Sequence, residues 1–306
     1  MPSTITHTYI GLDTLEKLNK KPKDIIQNHL NNYKVYCQNM DVLYFYHIFL
    51  LFENKVQKLG HLIHNEKTNE LFKILINDNK DNKDHELFTF IAGLITHYKA
   101  DSTMHPYINY LAKNNKKKKF NDHFAIETYI DSFYTRERMN INYKKDNNSK
   151  NIFNYTRERI IEDEITKIYK DLYNYPNMGS KYYRSLKEMR FVFNYIRHDK
   201  YGIKMFLYKI IDLNPLPIQR TKYLSYHFDL EDEDYYFNTI HNSWHNLSDN
   251  NYKSNQSFFD LYEKVTSDAS YIINELYEYI FENKNIDLDT LLGNYSYSNG
   301  LKLIKK

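Results

Sequence analysis

Apolar residues recur along this chain at three- and four-residue intervals rather than alternating, which is the spacing of a helix face and not of a strand. Only 7 Gly and 6 Pro punctuate 306 residues, so the pattern predicts an all-α fold of long helices. Helices are predicted over 13–30, 42–59, 68–76, 85–105, 122–139, 157–173, 181–197, 202–213 and 256–282. Segments 77–83 and 143–151, rich in Asn, Asp, Lys and Ser, read as loops, and Asn214-Pro215-Leu216-Pro217 breaks the chain again. A single domain over 1–306 is expected, with a helical core in 1–140 and further helices of 152–306 packed on it.

Composition narrows the function classes. The chain holds 31 Tyr and 18 Phe, enough large rings for a sizeable core, which excludes disorder for most of its length. With 42 basic against 39 acidic side chains there is no global field to hold a polyanion, and no stable nucleic-acid complex is expected. Cys37 is the only cysteine, which excludes an intramolecular disulfide and a multi-Cys zinc cluster, and it reads as a small buried hydrophobe. The apolar run 42–52 is interrupted by His47 and falls short of the ~20 residues that span a bilayer, so no transmembrane segment is expected. The first residues lack a basic stretch followed by an apolar run, so the sequence as it stands reads as cytoplasmic, or as a chain whose signal has been removed.

The chemistry concentrates in His97-Tyr98-Lys99-Ala100-Asp101-Ser102-Thr103-Met104-His105-Pro106. Spacing of four puts His97, Asp101 and His105 along one helix face. A His followed four residues later by a carboxylate is expected about 1.7 times by chance in this composition, but a second His four further on only about 0.07 times. Pro106 predicts that the helix ends or kinks at His105, turning that ring toward a second ion. One element later, His123 and Glu127 repeat the spacing. Asp131, one turn on, is placed either to hydrogen-bond a ligating imidazole or as a solvated helix residue. Imidazole and carboxylate without thiolate suit zinc, manganese or iron in hydrolytic sites. The alternative is polar surface positions, or buried histidines satisfied by carboxylates.

The run Ala100-Asp101-Ser102-Thr103-Met104-His105-Pro106-Tyr107, preceded by His97, resembles the signature of the bacterial zinc-dependent phospholipase C family, whose all-helical fold and trinuclear zinc site are shared with single-strand nucleases. His7, Asp41 ahead of an aromatic run, His64 a few residues after Gly60, and the His123/Glu127 pair match further family positions. Asn242-Ser243-Trp244-His245-Asn246 and 255–261 resemble stretches in clostridial-type members. The resemblance implies one zinc held by Asp41, His64, His97 and Asp101, and a second held by His105, His123 and Glu127. A third would use His7 with Asp101 as a bridge. Secreted members complete that third site with an N-terminal Trp, and none stands near the start here. Water, the amino terminus after loss of Met1, or a two-metal variant are the alternatives.

Such a site implies hydrolysis of a phosphate ester by a metal-held hydroxide, with Asp41 as ligand and candidate base. The substrate would be a glycerophospholipid or a related phosphodiester, with peripheral membrane contact. A single-strand nuclease or nucleotidase, and a binding protein with structural zinc, are the competing readings. Lys116-Lys117-Lys118-Lys119 would draw an anionic group to the cleft, or would form a solvated loop. Tyr44, Phe45 and Tyr46 would line the pocket or join the core. His47, His61, His241 and His245 are left out of the ligand set.

Overall fold

The computed structural model describes residues 4–50, 52–114, 123–147, 149–213, 221–230 and 233–303. Helices α1 (Thr4–Glu16), α2 (Lys20–Asn28) and α3 (Leu30–Tyr36) lead into a 3₁₀ segment, Asn39–Phe45. Then come α4 (Lys55–Ile63), α5 (Thr68–Asn82), α6 (His85–Asn114), α7 (His123–Met139), α8 (Arg159–Tyr173) and α9 (Met178–Phe191), the last running straight into a π-helical turn, Val192–Arg197. After α10 (Ile203–Asp212), a 3₁₀ turn (Thr221–Leu224) and α11 (Glu233–Phe237), strands β1 (Trp244–Asn246) and β2 (Asp249–Ser254) pair antiparallel. Helices α12 (Phe258–Phe281) and α13 (Leu288–Leu292) close the order. The fold is all-α, with that hairpin as the one named sheet among the described residues.

The central element is α6. Every residue from Glu86 to Tyr98 is buried, and a helix that is covered all round forms the middle of a core. Helices α12, α3, α1 and α7 pack around it, with β1 against it too. The approach of α3 is close because Gly93 has no side chain. A Cβ there would lie 2.6 Å from Tyr36 Cβ and 2.8 Å from the Tyr36 carbonyl carbon. One turn later on α6 comes His97, whose Nδ1 lies 2.9 Å from the carbonyl oxygen of Cys37 at the end of α3. The tight contact at Gly93 therefore sets the reach of the chemistry-bearing turn.

Several expectations need correction. Helix α6 does not end at His105 but continues through Pro106 to Asn114. Proline leaves the Ser102 carbonyl without its helical partner. Gly300, at φ +67°, lies against that carbonyl so closely that a Cβ would sit 2.3 Å from it. Downstream, Tyr107, Ile108, Leu111 and Ala112 are buried, and at about 1.5–3 kcal/mol for each large apolar side chain this burial offsets the proline. The predicted loop at 77–83 is mostly helix, because α5 runs on to Asn82 with Asn79 fully buried and Lys80 stacked on the Tyr279 ring. Tertiary packing there overrides weak helix propensity. The helix predicted over 13–30 is broken between Glu16 and Lys20, and that over 42–59 is replaced by the 3₁₀ segment and a separate α4 whose start is fixed by an Asn54–Gln57 capping box. The Lys116–Lys119 run and the Asn214–Pro217 break lie outside the described residues.

Gly93→Ala should overpack the α3–α6 contact and lower stability by about 1–3 kcal/mol, read as a reduced denaturant midpoint with an unchanged slope. It should also weaken zinc binding, since His97 loses its register with Cys37. An unchanged midpoint would contradict this account of the contact.

Candidate metal centre

Five elements from the first half of the chain bring the candidate donors together. Helix α1 carries His7, the 3₁₀ segment Asp41, the C-terminus of α4 His64, and α6 supplies His97, Asp101 and His105 along one face. Helix α7 adds His123 and Glu127. Donor atoms of His7, Asp41, His97 and Asp101 all lie within 4.8 Å of one another, as do those of His105, His123 and Glu127. Asp101 joins the two groups. Its Oδ1 is 3.2 Å from His7 Nε2 and 3.7 Å from His105 Nε2, while Oδ2 is 3.1 Å from His97 Nε2. His64 stands beside the first group, its Nε2 2.9 Å from Asp41 Oδ1. The His7 and His97 rings stack at 4.1 Å.

The ring tautomers follow from the hydrogen bonds. Nδ1 of His64 meets the Gly60 carbonyl at 2.5 Å, Nδ1 of His97 the Cys37 carbonyl at 2.9 Å, and Nδ1 of His105 the Tyr297 carbonyl at 2.7 Å. Nδ1 of His123 meets Asn109 Oδ1 at 3.0 Å. A carbonyl oxygen only accepts, so each Nδ1 carries the hydrogen and each neutral ring presents Nε2 as a lone pair. Nε2 of His64 and of His97 are buried and make no hydrogen bond, although carboxylate oxygens face both. Lone pairs facing carboxylate oxygens repel unless a cation, proton or metal, lies between them. This orphaned arrangement fits a divalent ion, and the thiolate-free donor set fits zinc.

The electrostatics of the metal-free chain agree. Burial alone would raise the carboxyls, but the His97 and His64 rings hold Asp41 below its ordinary range, and His105, His97 and His7 hold Asp101 well below it. Burial opposes charge on the His105 ring, yet Asp101 and the hydrogen bond to Glu127 outweigh it and lift that ring to about 9. His7 is raised too, burial being overcome by Asp101. Glu127, despite burial, is held low by His123. Cys37 is not part of this, since burial pushes its thiol up.

Asp131 is not a solvated helix residue. It is fully buried, and its Oδ1 accepts from the Thr6 amide at 2.8 Å and the Thr6 hydroxyl at 2.9 Å, while Tyr226 donates to Oδ2. It fixes the chain one residue before His7. Tyr44 lines the cleft, with its hydroxyl 3.1 Å from His64 Nδ1, whereas Phe45 is core and Tyr46 is half-buried. His61 stands at the cleft with its Nε2 3.1 Å from Glu53, and His245 packs its edge on Tyr110.

The sequence pattern alone misses the contribution of the C-terminus. Tyr297 and Ser298 line the same cleft of about 150 Å³ as Asp41, His64, Asp101, His105, His123 and Glu127. Tyr297 clips the site together: its amide donates to the His64 carbonyl, its carbonyl takes His105, and its hydroxyl accepts from Asn39. The Gly, Asn and Ser of 293–300 mark a turn, but nothing local ties that turn to histidines some 200 residues earlier. A roomier cavity of about 500 Å³ gathers Lys34 and Asp146 and holds none of the candidate donors.

An all-helical protein with two adjoining His and carboxylate groups at the base of a cleft is the class this geometry defines. The zinc dependent phospholipase C family matches residues 6–192, a span that holds all eight candidate donors, and the chain belongs to that family. No curated protein and no solved structure gives a significant match. Among the described residues no helix is long and apolar enough to cross a membrane.

Zinc must displace the protons that the metal-free rings hold. Zinc affinity should therefore climb as pH rises toward about 9, where His105 loses its proton, with protons released on binding. Titration against a competing chelator checks this, and an affinity indifferent to pH would contradict it.

Proposed function

We propose that this chain is a zinc-dependent phospholipase C-like phosphodiesterase that hydrolyses a glycerophospholipid or a closely related phosphodiester. The observation that carries the proposal is the pair of adjoining donor groups, with Asp101 between them, opening on one cleft. In this reading Asp41, His64, His97 and Asp101 hold one zinc, and His105, His123 and Glu127 hold a second. His7, with Asp101 as a bridge, serves a third or completes the first. The part played by the amino terminus lies outside the described residues.

Zinc, when bound, supplies the positive charge that draws in phosphoryl oxygens and acidifies a water. The chain's own groups do the rest. Asp41 stays ionised because imidazoles flank both its oxygens, so it can orient the attacking water and accept a hydrogen bond from it. The carbonyls of Gly60, Cys37 and Tyr297 hold three rings in one tautomer and one orientation. Tyr44, with His61 against its ring at 4.5 Å, forms one wall of the cleft.

The nuclease reading calls for rings that stack a base on both sides of the metals. Tyr297 is 4% exposed and turned against His64 and His97, and the Tyr44 ring has His61 and His64 against it, so this pair does not present open rings on both sides of the metals, which supports the lipid headgroup over the base. The contacts of Tyr297 with His64 and His105, and of Ser298 with Asn65 and Asn109, also favour one domain over the whole chain.

The test is release of phosphorylated headgroup from phospholipid beside hydrolysis of single-stranded DNA. Phospholipid turnover should exceed turnover of DNA, vanish with a strong chelator and return with zinc. Asp41→Asn should lower kcat by roughly 100-fold or more, and Asp101→Asn should remove more than one equivalent of zinc. Preferred cleavage of DNA, or loss of one equivalent or none from Asp101→Asn, would contradict the respective assignments.

A further inference from the structure

Helix α10 shows its apolar face to solvent. Ile203, Phe206, Leu207, Ile210 and Ile211 stand at i, i+3, i+4, i+7 and i+8, the spacing that normally points into a core. All five are exposed, Phe206 at 65% and Ile203 at 61%, and Met205 is the helix's one buried residue. The helix is not loosely attached. Asp199 accepts the Lys204 and Met205 amides at its N-terminus, Asp212 accepts the Thr221 and Lys222 amides at its C-terminus, and the Tyr208 hydroxyl donates to the Ile196 carbonyl. The opposite side is thus pinned to the π-helical turn and the second 3₁₀ turn, and the apolar stripe is held outward.

A second exposed apolar set adjoins it. The segment that follows Asp41 ends in Phe49, Leu50 and Phe52, the last 85% exposed. Phe49 packs its edge on Phe191, Phe191 lies 5.1 Å from Tyr195, and the Tyr195 carbonyl accepts from Lys204 of α10. The two sets are therefore linked through the end of α9, and one of them springs from the element that carries Asp41.

Charge identifies the occupant. Lys200 and Lys222 flank the stripe and make no ion pair with a carboxylate among the described residues, and Lys209 feels only the field of Asp229, which Lys144 already pairs, while Asp199 and Asp212 are consumed in capping. A second copy of the chain would bring the same lysines against these across a two-fold axis, setting like charges opposite one another. An anionic phospholipid surface accepts both features, with large apolar side chains entering the acyl boundary and lysines reaching the headgroups.

We propose that α10, with Phe49, Leu50 and Phe52, is the surface by which this chain docks on an anionic phospholipid bilayer. The inference rests on the phospholipid reading of the cleft for its purpose but not for its measurement. Zinc-loaded full chain is sedimented with phosphatidylcholine vesicles with and without phosphatidylglycerol, and activity is read separately on vesicles and on a water-soluble headgroup analogue. Wild type should bind the anionic vesicles, less tightly as salt rises. The exposed pair Phe206→Ser/Ile210→Ser should lower vesicle affinity by roughly 100-fold, since each large side chain buried from water is worth about a factor of ten or more. Turnover of the soluble analogue should not change. Wild type that ignores anionic vesicles, or a double variant that binds as wild type does, would overturn the proposal. So would a concentration-dependent dimer that the double variant abolishes in the absence of vesicle binding. Vesicle binding without turnover of any substrate would uphold the docking surface and remove the catalytic reading, so the two fail separately.

Discussion

The arrangement of the centre depends on where four protons go. Backbone carbonyls of Gly60, Cys37 and Tyr297 and the amide oxygen of Asn109 meet the Nδ1 atoms of His64, His97, His105 and His123. Each neutral ring is thereby left with its Nε2 lone pair, and all four Nε2 atoms face carboxylates. Buried lone pairs opposed in this way are costly in a medium of low dielectric. The metal-free chain relieves the cost with protons, which is why His7 and His105 hold them more firmly than usual. A divalent cation relieves it better, because it removes the repulsion at several rings at once.

Supplying those acceptors constrains the whole architecture. The Cys37 carbonyl reaches His97 because α3 can lie against α6 at Gly93. The Tyr297 carbonyl reaches His105 because the C-terminal segment crosses α6 at Pro106, where Gly300 lies against the carbonyl that proline leaves open. The buried carboxylate of Asp131 holds Thr6 and so places His7. Helix packing, the proline in α6 and the chain ends thus serve one purpose, which is to hold imidazoles in a single tautomer around a shared volume.

Much of this was legible in the residue order, and the gaps have physical causes. The His97, Asp101 and His105 face could be read because spacing of four is a local property of a helix, and the same holds for His123 and Glu127. The helical class followed from periodicity. Pro106 misled because local rules end a helix there, whereas burial beyond it and the close fit of Gly300 carry α6 onward. Asn79 misled in the same way, since polar composition suggested a loop and packing made a helix. Tyr297 was invisible because its role is made by its backbone amide and carbonyl, which no side-chain pattern advertises. Helix α10 could be read as a helix but not as an exposed one, because periodicity marks an apolar face without saying what covers it.

The central claim is that Nε2 of these rings, and not Nδ1, is the atom offered to the metals. Diffraction from zinc-loaded crystals at energies on either side of the zinc absorption edge tests it most directly. Adjacent anomalous peaks, each about 2.0–2.1 Å from Nε2 of its histidines and with Asp101 reaching more than one of them, are the predicted result. Peaks beside Nδ1, or zinc bound only away from Asp101, would contradict it.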